Sequence, residues 1–247
     1  MCASNRFFDG KVRRKPMQDS FITAEGLSQW SPRIQSYHDV NLELAKGQAH
    51  AICAEDRSGK TELLLTLAGR MLPTSGTLRV GGIDVGGLRS LARVRRFASL
   101  GFFENVNDVE RVLKVSVITS AELGLAGKRS NAMATNAFLE NNGLLDAADT
   151  RIEALDRYTF DWLGIALGMA HDPKLLVVDD IESSLTEHQS LKLVRKLKDL
   201  ARSTGVTVAC GVNDYDIAVS FDSVNCISDE ARAQEAAWGR KHAEEVA

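Results

Sequence analysis

The chain has 247 residues, 44% hydrophobic and 26% charged, with a formal net charge of −3, a balance that suits one large α/β domain or a domain carrying an inserted lobe. The slight acidity excludes bulk attraction to nucleic acid. No apolar run approaches the roughly 18 residues that a membrane-spanning helix needs, so the chain is expected to form no channel or anchor of its own.

Residues 1–20 include Arg6, Lys11, Arg13, Arg14 and Lys15 with no apolar core behind them. They read as a disordered basic extension rather than a secretory signal, with a membrane-surface contact as the sharper alternative. From Phe21 to about Gly101 strands and one helix are expected. Ala49, Ala51, Ile52, Cys53 and Ala54 make the small apolar run of a buried strand, and the segment from Glu62 to Leu72 places leucines at helical spacing. Between them, residues 54–61 read Ala-Glu-Asp-Arg-Ser-Gly-Lys-Thr. This is the phosphate-cradling pattern G-x-x-x-x-G-K-[ST] with Ala54 in place of its first glycine.

The chemistry of that segment follows from its residue types. Gly59 lets the backbone approach a polyphosphate, Lys60 supplies a cation for the β and γ oxygens, and the Thr61 hydroxyl suits Mg²⁺. The amides of Arg57 to Thr61 add to the N-terminal dipole of the helix that starts there. The nucleotide-binding set is then Ala54, Asp56, Arg57, Ser58, Gly59, Lys60, Thr61 and Glu62. Ala54 is expected to strain the turn, since a Cβ penalises positive φ and close packing.

The segment from Asn107 to Leu155 has helical spacing with Gly143 as a stop signal, and reads as a separate helical lobe. Lys174 to Asp180, Lys-Leu-Leu-Val-Val-Asp-Asp, reads as a buried strand ending in two carboxylates. In an open α/β sheet ligands bind beyond the carboxyl ends of the strands, which places Asp179 to hold Mg²⁺ and Asp180 to orient or deprotonate water. A helix cap would account for one aspartate there, but explains two poorly. A further strand, Gly205 to Gly211, ends near Asn213 and Asp214. Cys53 and Cys210 sit in strand-like runs as small buried thiols, and the scattered histidines and cysteines suggest neither a metal cluster nor a Cys-His nucleophile. Asp229 to Ala247 reads as one exposed helix.

Three stretches resemble the nucleotide-binding subunit of ATP-binding-cassette (ABC) transporters, in that family's order and separations, over about Phe21 to Val224. They are Val40 to Val85 around the phosphate loop, Asn142 to Ala148 followed by Leu155, and Gly164 to Asp180. The resemblance implies an α/β P-loop NTPase fold of ABC type, with a parallel-sheet core, a β-rich first lobe and an inserted helical lobe. Residues 21–106 and 156–247 would form the ATP-binding core and residues 107–155 the helical lobe. It further implies Mg-ATP binding and head-to-tail closure with a second ABC-type subunit, the same chain or a different one. It implies work against a separate transmembrane protein, which would make the chain cytoplasmic and peripheral at the inner face of the cell membrane.

The departures from the family pattern bear on hydrolysis. Where the family signature has Leu-Ser-Gly-Gly-Gln, this chain has Leu155-Asp156-Arg157-Tyr158-Thr159. Asp156 brings negative charge and Arg157 and Tyr158 bring bulk, which weakens contact with a partner's γ-phosphate unless Arg157 reaches it as a fork donor. Asp180 stands at the catalytic glutamate and Asn213 at the switch histidine. Asn105, with Glu104 as the alternative, matches the metal-contacting glutamine, giving Thr61, Asn105 and Asp179 as metal positions. Thr186 replaces the D-loop aspartate. Trp30 is the candidate for stacking on adenine, with Tyr37 as competitor and core packing open for either. Two activities compete: a slow ATPase that drives or gates transport, and a non-hydrolysing nucleotide-binding regulator.

Overall fold

The computed structural model describes residues 20–31, 34–103, 106–107 and 109–246. Strands β1 (Ser20–Ser31), β2 (Ile34–Ala45), β4 (Ser75–Val80) and β5 (Ile83–Asp84) form an antiparallel sheet in the order β2-β1-β4-β5. Strands β3 (Ala49–Cys53), β6 (Ala98–Leu100), β7 (Leu175–Val178), β8 (Thr207–Val212) and β9 (Ser223–Cys226) form a parallel sheet in the order β6-β7-β8-β3-β9. Every residue of β3, β7 and β8 is buried, as expected for parallel strands covered on both faces.

Helix α1 (Lys60–Leu67) fills the space between the sheets. Leu63, Leu64 and Leu67 lie in one cluster with Ile22, Leu27 and Leu44 of the antiparallel sheet, Leu91 of α2 (Leu88–Arg95), and Val177 and Ala209 of the parallel sheet. The other face of the parallel sheet packs on α5 (Arg157–Met169) and α6 (Glu187–Thr204), through Leu163, Ala166, Leu193 and Leu197. Helices α3 (Val115–Leu125) and α4 (Ala132–Asn141) add Val115 and Leu139 to this second cluster. α5 approaches β6 closely because it carries glycine where it crosses: a Cβ on Gly164 would lie 2.5 Å from the Phe102 ring, and one on Gly168 2.7 Å from the Leu100 carbonyl.

Thr186 acquires a structural role as the N-cap of α6. Its hydroxyl accepts from the Gln189 amide while the Gln189 side chain accepts the Thr186 amide, a reciprocal box that satisfies two donors at the helix start. The helix Asp229–Val246 (α8) is mostly exposed, as its composition predicts, but one face is covered. Ala231 is buried, and the Trp238 ring meets Tyr215 of α7 (Tyr215–Ala218) edge to face at 6.1 Å. Those two residues are seven apart and share one face of the helix, a stripe masked in sequence by the surrounding charge.

A candidate nucleotide-binding site

β3 ends at Cys53 and the chain turns into α1 through Gly59, whose φ of 83° lies in the left-handed region that glycine enters freely. Arg57 shares that region at φ 65°. The strain expected at Ala54 is absent, for Ala54 is not among the positive-φ residues. Its N–H donates to the Val212 carbonyl at 3.0 Å, prolonging the β3–β8 ladder, and its methyl is fully buried. The position belongs to the strand end, where a Cβ costs nothing, and the turn's unusual backbone sits three and five residues later.

Lys60 is 6% exposed, and its ammonium donates to the Ala54 carbonyl at 3.1 Å and to Asn213 Oδ1. Asn213 Nδ2 donates in turn to Asp56 Oδ1 at 3.1 Å, so the segment after β8 is tied across the phosphate loop. On the other side, Thr61 Oγ1 donates to Asp179 Oδ2 at 2.5 Å. Asp179 and Asp180 follow β7, and Asp180 adopts φ 46°, a conformation rare outside glycine. Burial pushes the Asp179 carboxyl above its usual range, while the Thr61 hydroxyl and the Lys60 ammonium pull the other way. Burial also raises Glu62, and the Asp179 charge adds to the effect.

Three oxygens at this mouth, Ser58 Oγ, Asp179 Oδ1 and Asp180 Oδ1, are buried without a hydrogen-bond partner. Buried polar atoms are rarely left so, because each unmet one costs about 1–3 kcal/mol. The donor set fits the expected ligands. The Thr61 hydroxyl and Asp179 carboxylate are hard oxygens that suit Mg²⁺, and the glycine turn at a helix N-terminus suits phosphate.

Three residues absent from the sequence-derived site belong to it. Glu182 is largely buried, and its carboxylate accepts the backbone amides of Asn213 at 2.7 Å and Asp214 at 3.1 Å, holding the segment that carries Asn213. Burial raises its pKa against those amides and Lys60. Nothing local announces a contact across 31 residues. Gly211 of β8 sits against Asp179: a Cβ there would collide with Asp179 Oδ1. A glycine inside a strand is the available sign of such close approach. Asp161 of α5 is driven up to about 6 by burial, against the Arg157 guanidinium, with the Asp180 charge raising it further. The second turn of α5 therefore lies near the Asp180 carboxylate.

At the signature position Asp156 caps α5, accepting the Thr159 amide at 3.0 Å and the Thr159 hydroxyl at 2.6 Å, which lowers its pKa. Arg157 Nε donates to both Asp161 oxygens at 2.8 and 2.9 Å. Tyr158 turns its ring toward α6, with the Lys192 and Lys196 ammoniums 4.9 and 5.8 Å from its centre. Of the two aromatics considered for adenine, Tyr37 is core: it is 2% exposed and its hydroxyl donates to Thr66 Oγ1 at 2.9 Å. Trp30 is 63% exposed on the antiparallel sheet, its backbone amide bonded to Thr74 Oγ1, and is not drawn into the phosphate-loop network. Asn105 and Glu104 lie outside the described residues, as do residues 1–19. A separate concavity of about 940 Å³ opens between β6, α5 and α3, lined by Phe102, Val109, Ile118 and Gly164 among others.

The two sheets, the interleaved helix and the glycine turn after β3 define a P-loop NTPase of the cassette type. Residues 37–183 match the family described as ABC transporter. The chain belongs to that family. It is 31% identical over 193 residues to "Phosphonates import ATP-binding protein PhnC 2" of a Synechococcus strain, covering 74% of this chain and 71% of the relative. It is 30% identical over 183 residues to "Methionine import ATP-binding protein MetN 2" of Burkholderia mallei, covering 72% of this chain but only 46% of that relative. In fold it matches MJ0796, described as a dimeric bacterial ABC transporter cassette, with a TM-score of 0.69 at 20% identity over 83% of this chain and 94% of that one.

Proposed function

We propose that the chain is the ATP-binding subunit of an ABC-type membrane complex, binding Mg-ATP and hydrolysing it slowly to drive or gate transport. One observation carries this reading: Lys60, the Thr61–Asp179 pair and Asp180 converge where the glycine turn meets the carboxyl ends of β3 and β7. Lys60 and the amides from Arg57 to Thr61 hold the phosphates, with Ser58 Oγ completing the cradle and Asp56 and Glu62 flanking it. Trp30 stacks on the base. Thr61 and Asp179, with Asn105, would hold Mg²⁺, which neutralises phosphate charge when bound. Asp180 orients the attacking water and accepts its proton, and Asn213 donates a hydrogen bond without carrying charge. Residues 21–106 and 156–247 act as the nucleotide core, and residues 107–155 as the lobe that passes closure to a transmembrane partner at the cytoplasmic face.

A specific observation favours the regulator reading as the second choice. Asn213 occupies Lys60 and Asp56, and Arg157 is engaged by Asp161 within its own chain, so neither side chain is poised for chemistry at a shared site. Steady-state phosphate release separates the two readings. The purified chain should release phosphate slowly, and an Asp180→Asn variant should release less. Release equal to that variant's, with and without the membrane partner, would leave the regulator.

Assembly is testable in the same preparation. Two copies of this chain would complete each site with the Asp156–Tyr158 segment, in which Arg157 is already paired and Asp156 adds charge. The isolated chain with excess ATP should therefore remain monomeric by light scattering, a different cassette supplying the second subunit. A stable ATP-dependent homodimer would show that this segment replaces the lost glycine contacts.

A further inference from the structure

Two thiols meet beneath the phosphate loop. Cys53 is the last residue of β3 and Cys226 the last of β9, and the parallel ladder pairs them directly, with the Ile227 amide donating to the Cys53 carbonyl at 3.1 Å. Paired residues on adjacent strands present their side chains on one face, with the strands about 4.8 Å apart. That separation lies within the roughly 4.4–6.8 Å between Cα atoms that a disulfide spans. Both side chains pack into the same cluster on that face of the sheet. Cys210, the third described cysteine, is paired with Ala51 instead and fully buried.

We propose that Cys53 and Cys226 form a reversible oxidation site that closes to a disulfide and thereby controls the phosphate loop. Their environments differ in the way a reacting and a resolving thiol must. Cys226 is half-buried, whereas Cys53 is fully buried. Burial and the neighbouring sulfur hold the Cys53 proton in place, and the hydrogen bond from Cys53 favours the thiolate at Cys226. With hydrogen peroxide as oxidant, the Cys226 thiolate attacks a peroxide oxygen. The O–O bond breaks, leaving a sulfenic acid at Cys226 and releasing water once the departing hydroxide takes a proton. Cys53 sulfur then attacks the Cys226 sulfur, the S–O bond breaks, and the hydroxyl leaves as water with the Cys53 proton. Two sulfurs have been oxidised by two electrons in total, and one peroxide reduced to two waters.

The consequence for the loop comes from adjacency. A disulfide brings the two Cβ atoms to about 3.8 Å, closer than the strand spacing alone sets them. This draws the end of β3 toward β9. Ala54 is the next residue, and its carbonyl holds the Lys60 ammonium, so the phosphate cation shifts with the strand end. This consequence rests on the nucleotide-binding reading above, while the bridge itself does not.

The test uses the full chain, reduced or treated with hydrogen peroxide, then alkylated and mapped as peptides without reduction. The peroxide-treated sample should contain the Cys53 peptide joined to the Cys226 peptide, and most of the ATP-induced rise in melting temperature should disappear and return with dithiothreitol. Cys53→Ser and Cys226→Ser should each keep their ATP response through peroxide. Cys53→Ala serves if the serine variant of that buried position does not fold. Alkylation of both thiols after peroxide, or sulfinic acid at Cys226 beside a free Cys53, would overturn the site. A joined pair with an unchanged ATP response would overturn its control of the loop. If the reduced chain shows no ATP response, the nucleotide reading fails and the joined peptide alone decides the bridge.

Discussion

Lys60→Ala should abolish the rise in melting temperature that Mg-ATP gives the unmodified chain. A ligand present at a hundredfold its dissociation constant stabilises the folded state by about 2.7 kcal/mol, roughly 5–10 °C for a chain of this size. The ammonium is nearly sealed from water and faces the loop interior, so its contact with phosphate is desolvated and charge-assisted, the strongest kind in the set. Without ATP the variant should lose about 1 kcal/mol or more, because the Ala54 carbonyl and Asn213 Oδ1 lose their donor. Differential scanning fluorimetry reads both effects. A variant that responds to ATP as strongly as the parent would place phosphate binding elsewhere.

Asp180→Glu combined with Asn213→His should raise steady-state phosphate release by about tenfold or more. The carboxylate of Asp180 is one methylene short of a glutamate, and an error of about 1 Å in placing a catalytic group costs on the order of a hundredfold. Its Oδ1 is buried without a partner, so there is unmet hydrogen-bonding capacity at the position a longer side chain would fill. Asn213 already lies at Lys60 and Asp56. A histidine there adds a group that can carry a proton, which an amide cannot. An unchanged rate in the double variant would move the defect to subunit closure rather than to the water-activating group.

What the sequence made legible was the chemistry carried by short spacing. Gly59, Lys60 and Thr61 between an apolar strand and a leucine-rich helix required no tertiary information, and neither did the all-apolar run ending in Asp179 and Asp180. Residue type alone misled at Ala54, because the penalty for a Cβ depends on φ, and the φ of that position is set by its pairing with Val212. Trp30 is the sequence's candidate for adenine and Tyr37 its competitor, and burial and the Thr66 hydroxyl assign Tyr37 to the core. Glu182 and Gly211 were hidden for a different reason. Each matters through a contact made only when the ends of β7 and β8 are side by side, and nothing in one strand's residues encodes which group on the next will face it. The signature segment holds one more case: Asp156 reads in sequence only as a charge and is found as the N-cap of α5, while the proximity of Asp161 to Asp180 follows only from the packing of α5.

Isothermal titration of the purified chain with ATP, with and without Mg²⁺, tests the nucleotide assignment most directly. Saturable binding of one ATP per chain is predicted, tightened by Mg²⁺, with the Mg²⁺ increment lost in Asp179→Asn and binding itself lost in Lys60→Ala. Absence of heat and of competition by ADP at millimolar nucleotide, in a sample shown to be folded, would contradict it.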